Sequence, residues 1–510
     1  RDENLDARQI GNGIVAGKKR AVCSSKLRVR RKGPHLFQEV EGAATLAGES
    51  CPDHLKKDLQ VICGIRVREA GGFPIDLRID KTITPPEGYS LSLAPTGCSI
   101  IGADLRGIMY AMQTLLQIFA SCGPGGKWPE VTITDWPAYR ARSFMVDMGR
   151  SVYSLPLLKR VVRILARLKM NQLHLHLYDD ELCGLRFRGL PFGGENPGAI
   201  TIPELAELVR YAAVYCVEIV PELEGWGHVG SLVYHNKELR GGPGMYSGSS
   251  FIICDEMFDL MEELVSQVVG VMPEKSTIHL GLDEANWFPG SSLPEGFNAE
   301  DMVTRYYRVL KRIGRKQSKE LNLRLWADHG GRPVAEDIQK DVIIEPWNYW
   351  ITNAEAIEGS IGRYSGEGKM RWMMGAGQSG GQFRGAYHAT RYWCRKAIDS
   401  PNVEGVNITF WIANDLDRKM ISLFAGALYA WNPVPDPPQS EDYEMFDRQV
   451  FPIMHWWQGA FRDAFPDDIE QDRGPIVYSG YYLWGDKHHQ PVAPTVPIAD
   501  TWTGHDYANE

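Results

Sequence analysis

Residues 143–180, SFMVDMGRSVYSLPLLKRVVRILARLKMNQLHLHLYDD, contain one strand–helix–strand unit. SFMVDMGR is predicted as a strand, and LPLLKRVVRILARLKM has apolar residues at the three- and four-residue spacing of an amphipathic helix. NQLHLHLYDD is predicted as the next strand and ends in two adjacent carboxylates, Asp179 and Asp180. Units of this kind build parallel sheets, in which a helix covers each crossover.

The same alternation of strand and helix continues to about residue 431. Further strands are predicted in VEIVPELEG, STIHLGLDE, NLRLWADHG, DVIIEPWNYW, RWMMGAGQS and VEGVNITFWIAND. About eight such units in roughly 290 residues are typical of a (β/α)₈ TIM barrel. A doubly wound open sheet uses similar units, but no Gly-x-Gly-x-x-Gly loop follows the first strand, which disfavours it.

The segments on either side of the barrel differ from it in composition. Residues 1–135 are predicted to form a smaller α/β domain, with a strand in GYSLSLAP and a helix in LRGIMYAMQTLLQIFA. Residues 136–435 are the barrel, and residues 436–510 are expected to form a partly helical C-terminal extension that packs on it.

The composition is that of an ordinary globular protein and excludes some partners. Lys plus Arg number 55 against 64 Asp plus Glu, a net charge of −9, which argues against a nucleic-acid partner. The sequence has no apolar run of the roughly 20 residues that a membrane-spanning helix needs, so membrane insertion is not expected. The nine cysteines include no Cys-x-x-Cys pair, and the N-terminus shows no hydrophobic signal core, so we expect a cytoplasmic location. The oligomeric state is left open.

Carboxylates and tryptophans alternate at the predicted carboxyl ends of the strands, where barrels place their active sites. The set comprises Asp147, Arg150, Asp179, Asp180, Glu222, Glu224, Asp283, Glu284, Trp326, Asp328, Glu345, Trp347, Trp411, Asn414 and Asp415. Acids at strand ends also cap helices or pair with Arg and Lys, which would explain Asp328 and Asp415 equally well. That alternative does not explain three tryptophans at one rim. Indole faces stack on sugar rings and carboxylates bind sugar hydroxyls, so the pattern indicates a carbohydrate substrate.

The segment IHLGLDEANW, residues 278–287, carries the most specific signal. Like charges on adjacent carboxylates raise a pKa, so Asp283 and Glu284 suit a division of labour in which one acid donates a proton. The segment resembles the catalytic Gly-x-Asp-Glu signature of glycoside hydrolase family 20, the β-N-acetylhexosaminidases.

The resemblance covers most of the chain. VDMGRSVYSLPLLKRVVRILARLKMNQLHLHLYDD is similar to the family's first strand, helix and second strand, and EIVPELEGWGH to its third strand and the His-bearing loop that follows. EGYSLSLAPTGCSIIGADLRGIMYAMQTLLQIF resembles the family's non-catalytic N-terminal domain.

The resemblance implies an exo-acting, retaining enzyme that releases terminal N-acetylglucosamine or N-acetylgalactosamine without a cofactor or metal. The substrate's own 2-acetamido oxygen would attack the anomeric carbon and form an oxazolinium intermediate. Glu284 would be the general acid and base, and Asp283 would orient the acetamide N–H and stabilise its positive charge. Asp179 and His228 would support Glu284.

The resemblance also implies a set of substrate-binding side chains. Arg150 would hold ring hydroxyls, Trp326, Trp347 and Trp411 would surround the acetamide methyl, and Tyr387 would bind the acetamide oxygen. Many family members have an acid two positions beyond the last tryptophan, where this chain has Ala413 followed by Asn414. We therefore assign Asn414 to substrate binding and expect both N-acetylglucosaminides and N-acetylgalactosaminides to be accepted.

Three rival functions remain open at this point. His174 and His176 form a His-x-His pair as in barrel metallohydrolases, but they are expected three or more residues short of the strand end, and His279 early in its own strand. A retaining glycosidase with a protein nucleophile would need a second carboxylate about 5 Å from Glu284, for which Glu222 or Glu345 are candidates. A non-catalytic sugar-binding barrel would not require Glu284.

Overall fold

The computed structural model divides into two compact units, which are described separately. The first unit extends to Arg140 and includes Arg167–Lys169 and the residues from Ala427, and the second comprises Ala141–Ala166 and Met170–Gly426. The structure describes residues 28–38, 43–48, 52–83, 85–122, 127–194, 196, 198–243, 249–285, 293–328, 331–350, 353–366, 370–378, 383–411 and 416–433. The C-terminal extension expected at residues 436–510 lies outside this range.

The described residues of the first unit up to Arg140 form a seven-stranded mixed sheet and two helices. In spatial order its strands are Arg28–Gln38, Lys127–Asp135, Tyr89–Ala94, Gly97–Gly102, Phe73–Ile79, Ala43–Gly48 and Arg66–Arg68. Every second side chain of the Tyr89–Ala94 strand is buried, as its alternating sequence predicts. The helices are Asp53–Cys63 and Leu105–Cys122, and the second is buried along most of its length because it is apolar nearly all round.

The second unit is built around a closed barrel of eight parallel strands, which confirms the predicted fold. In chain order the strands are Ala141–Asp147, Gln172–His176, Glu218–Glu222, Lys275–His279, Glu320–Ala327, Val342–Pro346, Arg371–Gln378 and Val403–Phe410. Each strand pairs with the next in sequence, and the eighth pairs with the first, with Ile408 opposite Phe144. The Ala141–Asp147 and Val342–Pro346 strands are buried at every residue, so they do not show the alternation of buried and exposed residues of a half-exposed strand.

Helices follow most of the barrel strands. They are Leu155–Arg167, Ile202–Val214, Asp255–Val269, Ala299–Gln317, Ala354–Tyr364, Phe383–Lys396 and Leu416–Trp431, and the fifth strand is followed by the 3₁₀ helix Glu336–Asp341. The Ile202–Val214 helix begins with a capping box between Thr201 and Glu204, and the Ala299–Gln317 helix with one between Asn298 and Asp301. These boxes satisfy backbone donors that a helix start leaves unpaired, so they fix where each connection ends.

Short segments decorate the carboxyl ends of the second and third strands. Leu185–Arg186 pairs with Ile200–Thr201, and Arg240–Pro243 pairs with Ser249–Phe251. A helix at Gly230–Val233 and a 3₁₀ helix at Lys237–Leu239 lie between the third strand and the second of these ribbons.

Two other features of the described chain bear on the sequence predictions. Its seven cysteines are all free thiols. Among its helices, none combines the length and apolar character needed to cross a bilayer.

Candidate active site

The two central carboxylates, Asp283 and Glu284, lie in a tight turn after the fourth barrel strand. Gly281, Leu282 and Glu284 all have left-handed backbone angles, with φ of 61°, 77° and 51°. A Cβ on Gly281 would lie 1.7 Å from Glu224 Oε2, so this position requires glycine. For Leu282 and Glu284 the left-handed conformation costs roughly 1–2 kcal/mol each, which the surrounding contacts must offset.

Polar side chains from neighbouring loops hold this turn in place. Glu224 Oε2 accepts the Leu282 N–H at 3.2 Å, and the Arg332 guanidinium donates to the Leu282 carbonyl oxygen. Asp328 Oδ2 accepts the Glu284 N–H at 3.2 Å and lies 3.4 Å from Arg332 Nη2. Asp328 therefore stabilises the backbone that presents Glu284. Its ion pair with Arg332 is the pairing with a basic side chain that the sequence allowed for this strand-end acid.

His228 connects this turn to the loop that follows the second barrel strand. Its Nε2 lies 3.1 Å from Glu284 Oε2 and 4.0 Å from Asp283 Oδ2, and its Nδ1 lies 3.1 Å from Asp179 Oδ1. Burial opposes a charge on this imidazole, but Asp179 and the hydrogen bonds to its ring outweigh burial and raise the pKa of His228 well above its usual value. His228 is therefore an imidazolium that bonds Glu284 on one side and Asp179 on the other.

Arg150 is surrounded by carboxylates. Its guanidinium nitrogens lie 3.1 Å from Asp147 Oδ2, 2.7 Å from Asp179 Oδ2 and 3.3 Å from Glu181 Oε2. Burial would raise the pKa of Asp179, but Arg150 and His228 hold it well below its usual value. Burial also raises the pKa of Glu181, to about 8, although Arg150 opposes this shift. Asp179 thus bonds both Arg150 and His228 as a carboxylate.

Asp283 differs from its neighbour in its surroundings. Its side chain is buried, and burial raises its pKa to about 7. The charge of Glu284 adds to this shift, while the His228 imidazolium opposes it. The turn therefore places a carboxyl whose pKa is raised, Asp283, beside one that lies within hydrogen-bonding distance of His228, Glu284.

The three predicted tryptophans meet in one aromatic cluster. Trp326, Trp347 and Trp411 pack with Met145 and Tyr349. The ring centroids of Trp326 and Trp411 are 6.0 Å apart, and the exposed fractions of Trp326, Trp347 and Trp411 are 1%, 7% and 9%. All three rings are therefore buried, and Trp347 and Trp411 are slightly more exposed than Trp326.

Tyr349 is a member of this cluster that the sequence analysis missed. Its ring stacks on Trp347 at 5.5 Å, and its hydroxyl accepts a hydrogen bond of 2.9 Å from Trp411 Nε1. Tyr349 follows Trp347 by two residues, just beyond the end of a strand, and this position in the sequence could have indicated that it belongs to the site.

The interior histidines surround Glu222, which ends the third strand. Glu222 Oε2 lies 2.7 Å from His176 Nδ1 and 3.0 Å from His174 Nε2, and Oε1 lies 3.1 Å from His279 Nδ1 and accepts the Trp326 indole N–H. His174, Glu222 and His279 bring possible ligand atoms within 4.8 Å of one another and could hold a metal ion by that measure. The carboxylate oxygens are already engaged by four neighbours, so a metal would have to displace these contacts.

The predicted positions of these histidines within their strands were wrong. His176 is the last residue of the second strand and His174 lies two residues before it, while His279 is the last residue of the fourth strand. The second strand ends early because the chain turns back on itself after His176, where Tyr178 forms an antiparallel bridge with Cys183. His176 and His279 thus lie level with Glu222 at the ends of their strands, and His174 lies two residues deeper in the barrel.

The structure brings eight of the ten predicted site residues into this one constellation. They are Arg150, Asp179, His228, Asp283, Glu284, Trp326, Trp347 and Trp411. The Tyr387 side chain and Asn414, together with Ala413, lie outside the described residues.

Two models of one protein family match consecutive segments of this chain. "Glycosyl hydrolase family 20, catalytic domain" matches residues 139–359, and "Glycosyl hydrolase family 20, domain 2" matches residues 42–136. The chain belongs to glycosyl hydrolase family 20. The catalytic-domain match includes the Asp283–Glu284 turn, His228 and Arg150.

Curated relatives from the family resemble part of the chain. A beta-hexosaminidase of Porphyromonas gingivalis is 24% identical over 362 residues, which is 61% of this chain and 46% of the relative. A beta-hexosaminidase of Vibrio furnissii is 25% identical over 352 residues, which is 59% of this chain and 54% of the relative. The chain therefore spans about half the length of these relatives.

Solved structures of family 20 proteins share the fold. A Flavobacterium johnsoniae chitobiase superposes with a TM-score of 0.66 at 18% identity, covering 86% of this chain and 73% of that chain. A Streptomyces plicatus N-acetyl-beta-hexosaminidase superposes with a TM-score of 0.65 at 22% identity, covering 86% of this chain and 94% of that chain. At these identities the likeness concerns the fold.

Proposed function

We propose that this family 20 protein is an exo-acting, retaining β-N-acetylhexosaminidase that uses the acetamido group of its substrate as the nucleophile. The observation that carries the proposal is the pair of carboxyls at the barrel mouth. Glu284 bonds His228 at 3.1 Å, and the neighbouring Asp283 lies 4.0 Å from the same imidazole. The curated relatives, named beta-hexosaminidases, support a carbohydrate substrate with a 2-acetamido group.

The two carboxyls have different tasks in this reaction. Glu284 donates a proton to the glycosidic oxygen while the substrate's acetamide oxygen bonds to the anomeric carbon and the bond to the leaving group breaks. A positive charge then develops on the acetamide nitrogen, and the ionised Asp283 carboxylate stabilises it. Glu284, now a carboxylate, takes a proton from the water that opens the oxazolinium ring, and the configuration at the anomeric carbon is retained.

The aromatic cluster is suited to the N-acetyl group. Trp347 and Trp411 keep a small exposed fraction and pack with the apolar surfaces of Trp326, Tyr349 and Met145. Such walls exclude water and hold an acetamide in position for attack within its own sugar ring.

A carboxylate nucleophile from the protein is disfavoured by the burial of both candidates. Glu222 and Glu345 are fully buried in the barrel interior. The Glu222 oxygens are engaged by three histidines and Trp326, and Glu345 forms an ion pair with Arg324 and accepts from Asn407. Neither carboxylate can reach an anomeric carbon at the mouth without breaking these contacts.

The proposal is tested with matched aryl glycosides that do or do not carry the 2-acetamido group. The 4-nitrophenyl 2-acetamido-2-deoxy-β-D-glucoside should be hydrolysed and the plain β-D-glucoside should not. In Asp283→Asn, kcat/KM on the acetamido substrate should fall about 10²–10³-fold, the usual effect of removing one electrostatic partner of a transition state. Equal turnover of both glycosides, or a covalent glycosyl adduct on the protein, would overturn the proposal, and a thiazoline mimic of the intermediate should inhibit.

We further propose that the site accepts both N-acetylglucosaminides and N-acetylgalactosaminides. The reason is the absence of an acidic residue two positions beyond Trp411, where the sequence has Ala413. The two 4-nitrophenyl glycosides should have kcat/KM values within about 100-fold of each other, a difference below roughly 3 kcal/mol. A larger preference for either sugar contradicts this proposal and leaves the reaction type untouched.

A further inference from the structure

The contacts of Glu284 continue into the barrel as an unbroken series of acids and imidazoles. Glu284 Oε2 lies 3.1 Å from His228 Nε2, and His228 Nδ1 lies 3.1 Å from Asp179 Oδ1. Asp179 Oδ2 lies 2.8 Å from His176 Nε2, and His176 Nδ1 lies 2.7 Å from Glu222 Oε2. All five side chains belong to the barrel unit, and the last three are almost fully buried.

Both oxygens of Asp179 belong to this series, and one of them is also held by Arg150. Oδ2 is held by His176 at 2.8 Å and by Arg150 at 2.7 Å. Oδ1 faces His228 and also accepts the Asp180 N–H at 2.6 Å. Because Oδ2 has two strong donors, the carboxylate plane is fixed, and Oδ1 stays directed at His228.

The charge on His176 depends on its carboxylate neighbours. Burial disfavours the imidazolium, but Glu222 and Asp179 outweigh burial and raise the pKa of His176 to about 10. The same carboxylate does not charge its other histidine contacts, since burial lowers the pKa of His174 to about 3 and of His279 to about 4. Of the three histidines around Glu222, therefore, only the one in the series carries a proton on both nitrogens.

Other groups also face His176. Glu224 Oε1 lies 3.9 Å from its Nδ1, and the ring of Trp411 meets it edge-on at a centroid distance of 5.0 Å. Burial together with the charges of Asp283 and Glu222 raises the pKa of Glu224 well above its usual value. Glu224 is therefore neutral and does not form an ion pair with the His176 imidazolium in place of Glu222.

We propose that His176 and Glu222 are positioning residues for the acid–base carboxylate Glu284. Glu222 keeps His176 charged, His176 fixes Asp179, and Asp179 holds His228 against Glu284. The inference rests on the proposed function, since it assigns these residues to the proton-transferring carboxyl of that reaction.

The charge of His176 can be tested without any substrate. In the full chain with ¹⁵N-labelled histidine, the imidazole resonances of His176, assigned with His176→Gln, should show a doubly protonated ring from pH 6 to about pH 9. In Glu222→Gln the midpoint of its titration should fall by at least about one pH unit, because one carboxylate contact is removed. A neutral His176 at pH 7 in the wild type, or an unchanged midpoint in Glu222→Gln, would overturn the proposal.

The effect on proton donation is tested by varying the leaving group. For Glu222→Gln, kcat/KM should fall about tenfold or more on the phenyl acetamido-glycoside, whose leaving group needs a proton, and less than about threefold on the dinitrophenyl analogue. A purely structural loss, or a distorted Trp326, would lower both values equally, and that result would contradict the proposal.

Two further variants keep this test interpretable. Glu345→Gln removes another fully buried barrel carboxylate that is outside the series, so it should leave the ratio of the two kcat/KM values unchanged. If Glu222→Gln fails to fold, His176→Gln, which retains an amide donor for Asp179, must show the same selective loss. A wild type inactive on both glycosides would refute the proposed function, while the histidine titration would still decide the charge of His176.

Discussion

At the scale of single residues, the ionised form of Asp283 is less stable in the folded protein than the same carboxylate would be in water. Burial raises its pKa to about 7, so the folded chain binds this proton more tightly than the unfolded chain does. The associated stability is present at low pH and is lost as the pH rises from about 4 through about 7. Above that range an ionised carboxylate remains buried at a cost, which is a frequent property of catalytic positions.

Asp283→Asn should therefore be more stable than the wild type at pH 8 although it is less active. We expect a gain on the order of 2 kcal/mol, seen as a melting temperature higher by about 2–5 °C. At pH 4 the difference should shrink, since both proteins then carry a neutral side chain at this position. A variant that melts below the wild type at pH 8 would contradict the assigned direction of the pKa shift.

The sequence could identify residues whose role follows from their own position but not those whose role depends on distant partners. Asp283 and Glu284 end a predicted strand in a specific motif, so both were recognisable. Glu222 also ends a strand, but its contacts come from His176, 46 residues before it, and Trp326, 104 residues after it. No local pattern encodes such contacts, so the sequence indicated for Glu222 only a place among the strand-end carboxylates and a candidate role as nucleophile.

At the scale of elements, the turn after the fourth strand depends on a single glycine. Gly281 has a φ of 61°, and any Cβ would overlap the Glu224 carboxyl, which itself bonds the next residue's N–H. Gly296, in the following loop, has a φ of 76° with open space around the Cβ position. A substitution at Gly281 therefore introduces both backbone strain and steric overlap, whereas one at Gly296 introduces backbone strain alone.

Gly281→Ala should lower stability by about 2–5 kcal/mol, the sum of left-handed strain and overpacking. Its kcat/KM should fall about tenfold or more, because the turn that presents Glu284 must shift. Gly296→Ala, the matched control, should cost about 1 kcal/mol and retain activity. Equal effects of the two substitutions in thermal melts and kinetics would show that the Glu224 contact is unimportant.

The elements themselves were largely predictable, whereas their ends were not. Eight strands were expected and found, since each is an apolar run followed by a turn signal. The observed strands are shorter than the predicted ones, and Leu177–Asp180 and Leu280–Glu284 leave the sheet. Their apolar residues are buried in loops, and a buried loop cannot be told from a strand by hydrophobicity alone.

At the scale of the whole molecule, several site groups should make stability fall with rising pH. The pKa values are raised to about 7 for Asp283 and Glu345, about 8 for Glu181 and about 10 for His176. In each case the folded-state value exceeds the unfolded one, so the stabilising proton is lost as the pH rises through the folded-state pKa.

The melting temperature of the full chain should therefore decrease continuously between pH 7 and pH 9, as measured by scanning calorimetry. Glu181→Gln, which removes the group that titrates near pH 8, should have a shallower slope around that pH. A melting temperature that is flat or rises over this interval would contradict the assigned directions.

Arg150 is held by Asp147, Asp179 and Glu181 of the protein itself, and only 12% of its side chain is exposed. A free arginine side chain has roughly 2 kcal/mol of rotamer entropy to lose when it is immobilised. For Arg150 that loss has already occurred during folding, so it would not add to the free-energy cost of the sugar binding that the family resemblance implies for this residue. Calorimetric titration should accordingly show recognition by this guanidinium as an enthalpic gain with a small entropic penalty.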